Sequence, residues 1–134
     1  MANALYGLGR NAFLTKAIDW VNDTIRVYLI DTDDYSVDIN VDQYLDDIAG
    51  AAKVANASLA SKAAALGVAD AADTTLSAVT GDTSEALVLA MWSGVESSSP
   101  LIAYIDSATG LPVIPNGGDI TITWDNGANK IFKL

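Results

Sequence analysis

Glu85-Ala-Leu-Val-Leu-Ala-Met-Trp92 and Pro100-Leu-Ile-Ala-Tyr-Ile-Asp106 are the two stretches that decide the fold class. Each is an apolar run of strand length with apolar residues on both faces, which is typical of a strand that is covered on both sides. The connection from Asp106 to Gly118 is long and contains several glycines and prolines, so we expect a projecting or binding loop there. These features predict a compact β-module.

The C-terminal part of the chain has the pattern of a closing hairpin. Residues 119–124 alternate between polar and apolar, and Asn126-Gly127 suits the left-handed positions of a two-residue turn. Such a hairpin would place Ile122 opposite Ile131. The segment 129–134 is then either the last strand of the sheet or a tail that docks on a neighbouring subunit.

The N-terminal half predicts one helix followed by strands. After an N-terminal arm, residues 1–9, the apolar side chains of residues 10–21 recur three and four positions apart, which predicts a helix. Thr24 to Ile30 alternates and predicts a strand. Residues 49–72 contain 12 alanines among 24 residues. Propensity alone favours a helix there, but the larger apolar residues follow no helical period, so we expect short strands with a mobile loop.

Together these patterns predict a single, mainly β domain over residues 1–134. Its architecture would be a β-sandwich or a jelly-roll-like barrel of about six to eight short strands, with one N-terminal helix. A chain of 134 residues with 51% hydrophobic and 18% charged residues can bury a core and is not disordered.

Composition also bears on function. The net charge of −10 disfavours nucleic-acid binding. No apolar run approaches the roughly 20 residues that span a bilayer, and no secretion signal is visible, so we expect no membrane contact and synthesis in a cytoplasm. Cys and His are absent, which removes disulfides, the commonest general base and the commonest transition-metal ligand. We therefore expect no enzymatic activity, no catalytic residue and no cofactor.

The aspartates between Asp31 and Asp38 are the strongest candidate for a metal site. Asp31, Asp33, Asp34 and Asp38 offer carboxylates, but the sixth and twelfth positions of the stretch are Ser36 and Asp42, so an EF-hand loop is only half matched. Aspartates are also common turn residues. We expect a turn with solvated carboxylates and no bound metal, and calcium binding stays the alternative.

Several phrases resemble a family of small tailed-phage virion proteins. The similarity extends over most of the chain and is tightest from Gly81 onward. The phrases are Met1-Ala-Asn-Ala-Leu-Tyr-Gly7, Thr24-Ile-Arg-Val-Tyr-Leu-Ile-Asp-Thr-Asp-Asp-Tyr35, Gly67-Val-Ala-Asp70, Gly81-Asp-Thr-Ser-Glu-Ala-Leu-Val-Leu89, Ser99-Pro-Leu-Ile-Ala-Tyr-Ile-Asp106, Thr109 to Thr121 and Trp124 to Leu134.

The resemblance implies a structural protein of the virion and no catalytic motif. By analogy with head-decoration (cement) proteins, we expect a homotrimer that binds the major capsid protein. A tail or head–tail connector protein is the alternative, and a carbohydrate- or calcium-binding module for host adhesion is a second one. The expected capsid or subunit contacts are apolar residues beside flexible backbone, and the other possibility for each is packing within its own domain. They are Leu5, Tyr6, Leu8, Leu111, Val113, Ile114, Ile131, Phe132 and Leu134.

Overall fold

A five-stranded antiparallel sheet divides the molecule into two hydrophobic cores. The structure is a computed structural model, and it describes residues 3–134. The order of the strands across this sheet is β1-β8-β7-β2-β3. Their bounds are β1 Ala4–Leu5, β2 Ile25–Ile30, β3 Lys53–Ser58, β7 Ala86–Met91 and β8 Leu101–Ile105.

Two smaller antiparallel sheets lie over one face of the large sheet. One has the order β10-β5-β4 and the other pairs β6 with β9. Their side chains join those of the large sheet in the first core. The bounds are β4 Ala63–Ala65, β5 Val68–Asp70, β6 Thr74–Leu76, β9 Ile120–Ile122 and β10 Phe132–Lys133. The predicted sandwich-like, mainly β fold is confirmed, whereas the three separate sheets do not close into a barrel.

The alternation of β2 explains the two cores. Ile25, Val27 and Leu29 point into the first core, and Tyr28 and Ile30 point into the second. Successive residues of a strand face opposite sides of the sheet, so a strand that is apolar at both sets of positions must be covered twice. The central β7 follows the same rule, and the prediction for Glu85–Trp92 is confirmed.

The second face of the sheet is covered by the segment 31–48 and by Tyr6. Tyr35, Leu45 and Ile48 are buried there against β2 and β7. A short 3-10 helix, Leu45–Asp47, lies in this segment, and Asp47 Oδ2 accepts hydrogen bonds from the backbone N–H groups of Gln43 and Tyr44.

The N-terminal helix is shorter and earlier than predicted. Helix α1 spans Gly7–Leu14, so it begins inside the predicted arm and ends well before residue 21. The carboxylate of Asp19 accepts hydrogen bonds from the backbone N–H groups of Val21 and Asn22, which holds a turn where the helix was expected. Met1 and Ala2 of the predicted arm lie outside the described residues.

The predicted C-terminal hairpin is wrong. Ile122 pairs with Thr74 of β6 and Phe132 pairs with Ala69 of β5, so β9 and β10 belong to different sheets. Of the two possibilities for the C-terminal segment, a last strand or a tail docked on a neighbouring subunit, the structure shows the first, because residues 132–133 form a strand that pairs with β5. The two-residue turn with positive φ at both positions joins β4 to β5 instead, at Leu66 (φ 52°) and Gly67 (φ 78°).

The alanine-rich region forms short strands, as predicted. It contains β3, β4 and β5, with a short 3-10 helix at Gly50–Ala52 before them. Residues 3–134 hold ten strands, more than the six to eight expected, because several are only two or three residues long. No helix in the described part of the chain is long and apolar enough to cross a membrane.

Candidate partner-binding site

The long connection after β8 is held against the body of the protein at two points. Val113 and Ser84 exchange two backbone hydrogen bonds of 2.9 Å. Further along, the N–H of Gly117 donates to the carbonyl of Val79 at 2.7 Å, and Val79 donates to the carbonyl of Gly118 at 3.0 Å. Ile114 lies between these points and is 76% exposed. An apolar side chain is thus presented to solvent on a positioned loop.

A cavity of about 560 Å³ opens beside this loop. Its floor is the large sheet, and its walls come from β9, the residues after β9, the connection after β8 and the segment before β10. Pockets of this size with mostly apolar walls are typical of binding sites. The lining includes Asn3, Leu29, Leu87, Ile105, Leu111, Val113, Ile120, Ile122, Trp124, Asp125, Lys130 and Ile131.

Asn3 joins the N-terminal segment to the rim of the open cavity. Its Oδ1 accepts hydrogen bonds from the backbone N–H groups of Asp106 and Ser107, both at 2.9 Å. Its Nδ2 donates to the carbonyl of Ser107 at 3.0 Å. The side chain therefore continues the pairing of β1 with β8 and fixes where the loop begins. Three segments of the chain meet at this one cavity, near residues 3, 111–113 and 131. Leu111, Val113 and Ile131 were predicted contacts, whereas the N-terminal segment reaches the cavity through Asn3, which was not.

Trp124 in the cavity wall carries an unsatisfied polar group. Its backbone N–H donates to Asp73 Oδ1 at 3.0 Å. Its indole Nε1 is buried and has no hydrogen-bond partner among the described residues. A buried donor without an acceptor costs about 1–3 kcal/mol.

The predicted contact residues fall into two groups. Leu111, Val113 and Ile131 line the open cavity, Ile114 and Leu134 are exposed, and Leu5 and Leu8 are half-buried. The other two, Tyr6 and Phe132, are buried in the cores of this chain. A contact role is therefore kept only for the seven that offer surface.

Tyr6 and Phe132 have clear partners inside the chain. The hydroxyl of Tyr6 lies 2.8 Å from that of Tyr35, which donates to Asp42 Oδ2 at 2.6 Å. Burial raises the pKa of Tyr6 and of Tyr35 well above the usual range. Phe132 packs edge-on against Trp20, with ring centroids 5.1 Å apart.

Three carboxylates form a second cluster, which the sequence predicted only in part. The oxygens of Asp31, Asp34 and Asp82 lie within 4.8 Å of one another, and we call these residues the carboxylate cluster. Asp31 and Asp38 also hold turns, since Asp31 Oδ1 accepts from the Asp33 N–H and Asp38 Oδ1 accepts from the Asn40 N–H. Asp82 was missed because it comes from a distant part of the chain, and no local spacing signals it.

The serines also serve local structure. The hydroxyls of Ser93 and Ser98 lie 2.8 Å apart, and Ser99 donates to the carbonyl of Val95 at 2.7 Å. These bonds close the loop between β7 and β8. The expectation of a protein without enzymatic activity stays a prediction.

The comparisons with known proteins find no relative. No protein-family model matches the chain, and no curated protein sequence matches it either. Function is therefore inferred from the open cavity, the exposed Ile114 and the resemblance of the sequence phrases.

Proposed function

We propose that the protein is a non-enzymatic virion structural protein of a tailed phage. In this role it binds the major capsid protein in the assembled shell, as a homotrimeric decoration protein, and stabilises the shell. The observation that carries the proposal is the convergence of three segments of the chain on one open cavity, with exposed Ile114 beside it. The resemblance of the sequence to small virion proteins supports the same role.

The loop that carries Ile114 suits a contact made many times over a lattice. Its anchors at Val113 and Gly117 limit the entropy that is lost on binding. Burying an isoleucine side chain contributes about 1.5–3 kcal/mol. A single contact of this size is weak, but the three linked chains of a trimer bind together more tightly than one chain does, through multivalency.

Mass action then explains how such a protein could stabilise a shell. A ligand that binds only the assembled lattice shifts the equilibrium toward that lattice. The net charge of −10 favours solubility before binding, when many free copies are present. The proposal therefore needs no chemistry from the protein, only a surface.

The direct test is cryo-electron microscopy of the virions, followed by a binding assay with shells that lack the protein. We expect density of 13.9 kDa per copy at three-fold positions on the outer shell. Density confined to the tail would contradict decoration and favour the connector alternative. Absence from the virion would contradict both and favour the adhesion alternative.

The binding assay uses a matched pair of variants. Ile114→Asp removes the exposed apolar residue beside the open cavity, and Val95→Asp makes the same change at an exposed valine in the loop between β7 and β8. We expect Ile114→Asp to weaken binding to shells by at least about tenfold. Val95→Asp should bind as the unchanged protein does. Equal binding by both variants would contradict a contact through Ile114.

A further inference from the structure

The small sheet β10-β5-β4 exposes apolar side chains that none of the residues from 3 to 134 covers. All three residues of β4, Ala63–Ala65, are exposed, and β4 is an edge strand with one neighbour. Leu66 follows it and is 97% exposed, and Leu134 is 54% exposed. The N–H of Leu134 donates to the carbonyl of Gly67 at 2.9 Å, so the two leucines belong to the same end of the sheet. We call this surface the alanine edge.

Leu66 is an unusual residue for its position. Its φ of 52° lies in the left-handed region, which favours Gly, Asn or Asp and is strained for a leucine. Its side chain gains no packing inside the chain. Neither backbone preference nor burial accounts for a leucine here, whereas contact with another surface does.

The charges around the alanine edge are mostly positive. Lys130 and Lys133 border the edge, against the acidic side chain of Asp70. Lys62 is turned toward the loop 19–23, where its ammonium group donates to the carbonyl of Asp23. Lys130 lies 3.6 Å from the Asp70 carboxylate. Lys133 is exposed. A partner for this surface should therefore be acidic and should offer apolar side chains.

The opposite side of the same molecule has that chemistry. The segment 31–47 contains seven aspartates and no basic residue, and Val41 within it is 67% exposed. It covers the second core, while the alanine edge belongs to the sheet over the first core. The large sheet lies between them, so one molecule cannot bring the two surfaces together.

We propose that the alanine edge of one molecule docks against the acidic segment 31–47 of a second copy of this chain. The contact is head-to-tail, because it joins two different surfaces of identical molecules. Successive contacts of this kind form a closed ring if the rotation between copies closes, and an open chain if it does not. This inference does not depend on binding to a capsid.

The test uses two variants, one that alters only the alanine edge and one that alters only the acidic segment. Leu66→Asp alters the alanine edge at a position where Asp suits the backbone better than Leu. The double variant Asp33→Lys/Asp46→Lys reverses two exposed charges of the acidic segment. Mass is measured by sedimentation and light scattering over a range of concentrations, without any capsid. Circular dichroism checks that each variant is folded.

We expect the unchanged protein to assemble and each variant alone to be monomeric, with a dissociation constant raised at least about tenfold. A 1:1 mixture of the two variants should form a dimer of two 13.9 kDa chains and grow no further, because each dimer contains only one intact pair of surfaces. Leu14→Asp serves as the control and should assemble normally, because Leu14 is 85% exposed and belongs to neither surface. An unchanged protein that stays monomeric, or a mixture that does not pair, would overturn the proposal.

Discussion

Gly9→Ala should destabilise the fold even though it improves helix propensity. Gly9 lies in α1 and is buried. A Cβ added to it would lie 2.2 Å from the carbonyl oxygen of Leu101 and 3.2 Å from Cα of Ile102. Both atoms belong to the backbone of β8, so they cannot move aside as the end of a side chain can. The helix must therefore shift away from the sheet.

Two opposing effects set the size of the change. In a helix, Ala is favoured over Gly by about 1 kcal/mol. Overpacking costs about 1–3 kcal/mol, and the upper end applies here because the contacts are with the backbone. The free energy of unfolding should fall by about 2 kcal/mol, which lowers Tm by roughly 6–10 °C for a domain of this size.

Urea unfolding followed by tryptophan fluorescence measures the change, with Gly50→Ala as the matched control. Gly50 is the first residue of a 3-10 helix, and no atom lies within 4 Å of an added Cβ there. We expect Gly50→Ala to leave stability unchanged or slightly raised. If Gly9→Ala proved as stable as the unchanged protein, the close approach of α1 to β8 would be refuted.

Three further predictions concern stability. Leu66→Asn should raise the free energy of unfolding of the monomer by about 0.5–1 kcal/mol, measured in urea, because Asn adopts positive φ more readily than Leu. Asp82→Asn should raise the free energy of unfolding by about 0.3–1 kcal/mol in the presence of a chelator, because it relieves repulsion in the carboxylate cluster. A variant that melts below the unchanged protein only when calcium is added would instead indicate a bound ion. Burial raises the pKa of Tyr6 and Tyr35 in the folded state. The stabilisation that depends on their neutral hydroxyl groups should therefore be complete below the unfolded pKa of about 10 and be lost as the pH rises above that value. Phenolate absorbance at 295 nm should then rise together with unfolding, and early ionisation of all tyrosines in the folded protein would contradict this.

The central strands could be predicted from the sequence because their signal is local. The apolar residues of β7 and the alternation in β2 are consequences of side-chain direction alone, and the structure follows both. The helix could not be placed correctly, because Ile18 satisfies the helical spacing but enters the first core from a turn. That turn depends on hydrogen bonds to Asp19, which compete with helix formation and leave the periodicity unchanged.

The same limit applies to the long-range contacts of the carboxylate cluster. Asp31 and Asp34 stand close in sequence, but Asp82 joins them only after the fold brings residues 80–84 next to this turn. Sequence spacing predicts which residues share a face of one helix or strand, and it does not predict contacts between different elements. The segments that line the open cavity were easier to single out, because apolar residues beside glycine and proline are a local feature, and their contact with a partner stays a prediction.

The wrong hairpin and the open cavity have one physical cause. Had β9 paired with the segment after Asn126-Gly127, Ile122 and Ile131 would have packed against each other. Instead β9 pairs with β6 and β10 pairs with β5. The residues between them line the cavity, together with Ile122 and Ile131 themselves. Ile122, which is buried, and Ile131, which is half-buried, thus line the candidate cavity from two different sheets. A local pattern can mark such residues as apolar strand positions, but it does not indicate which strand they pair with.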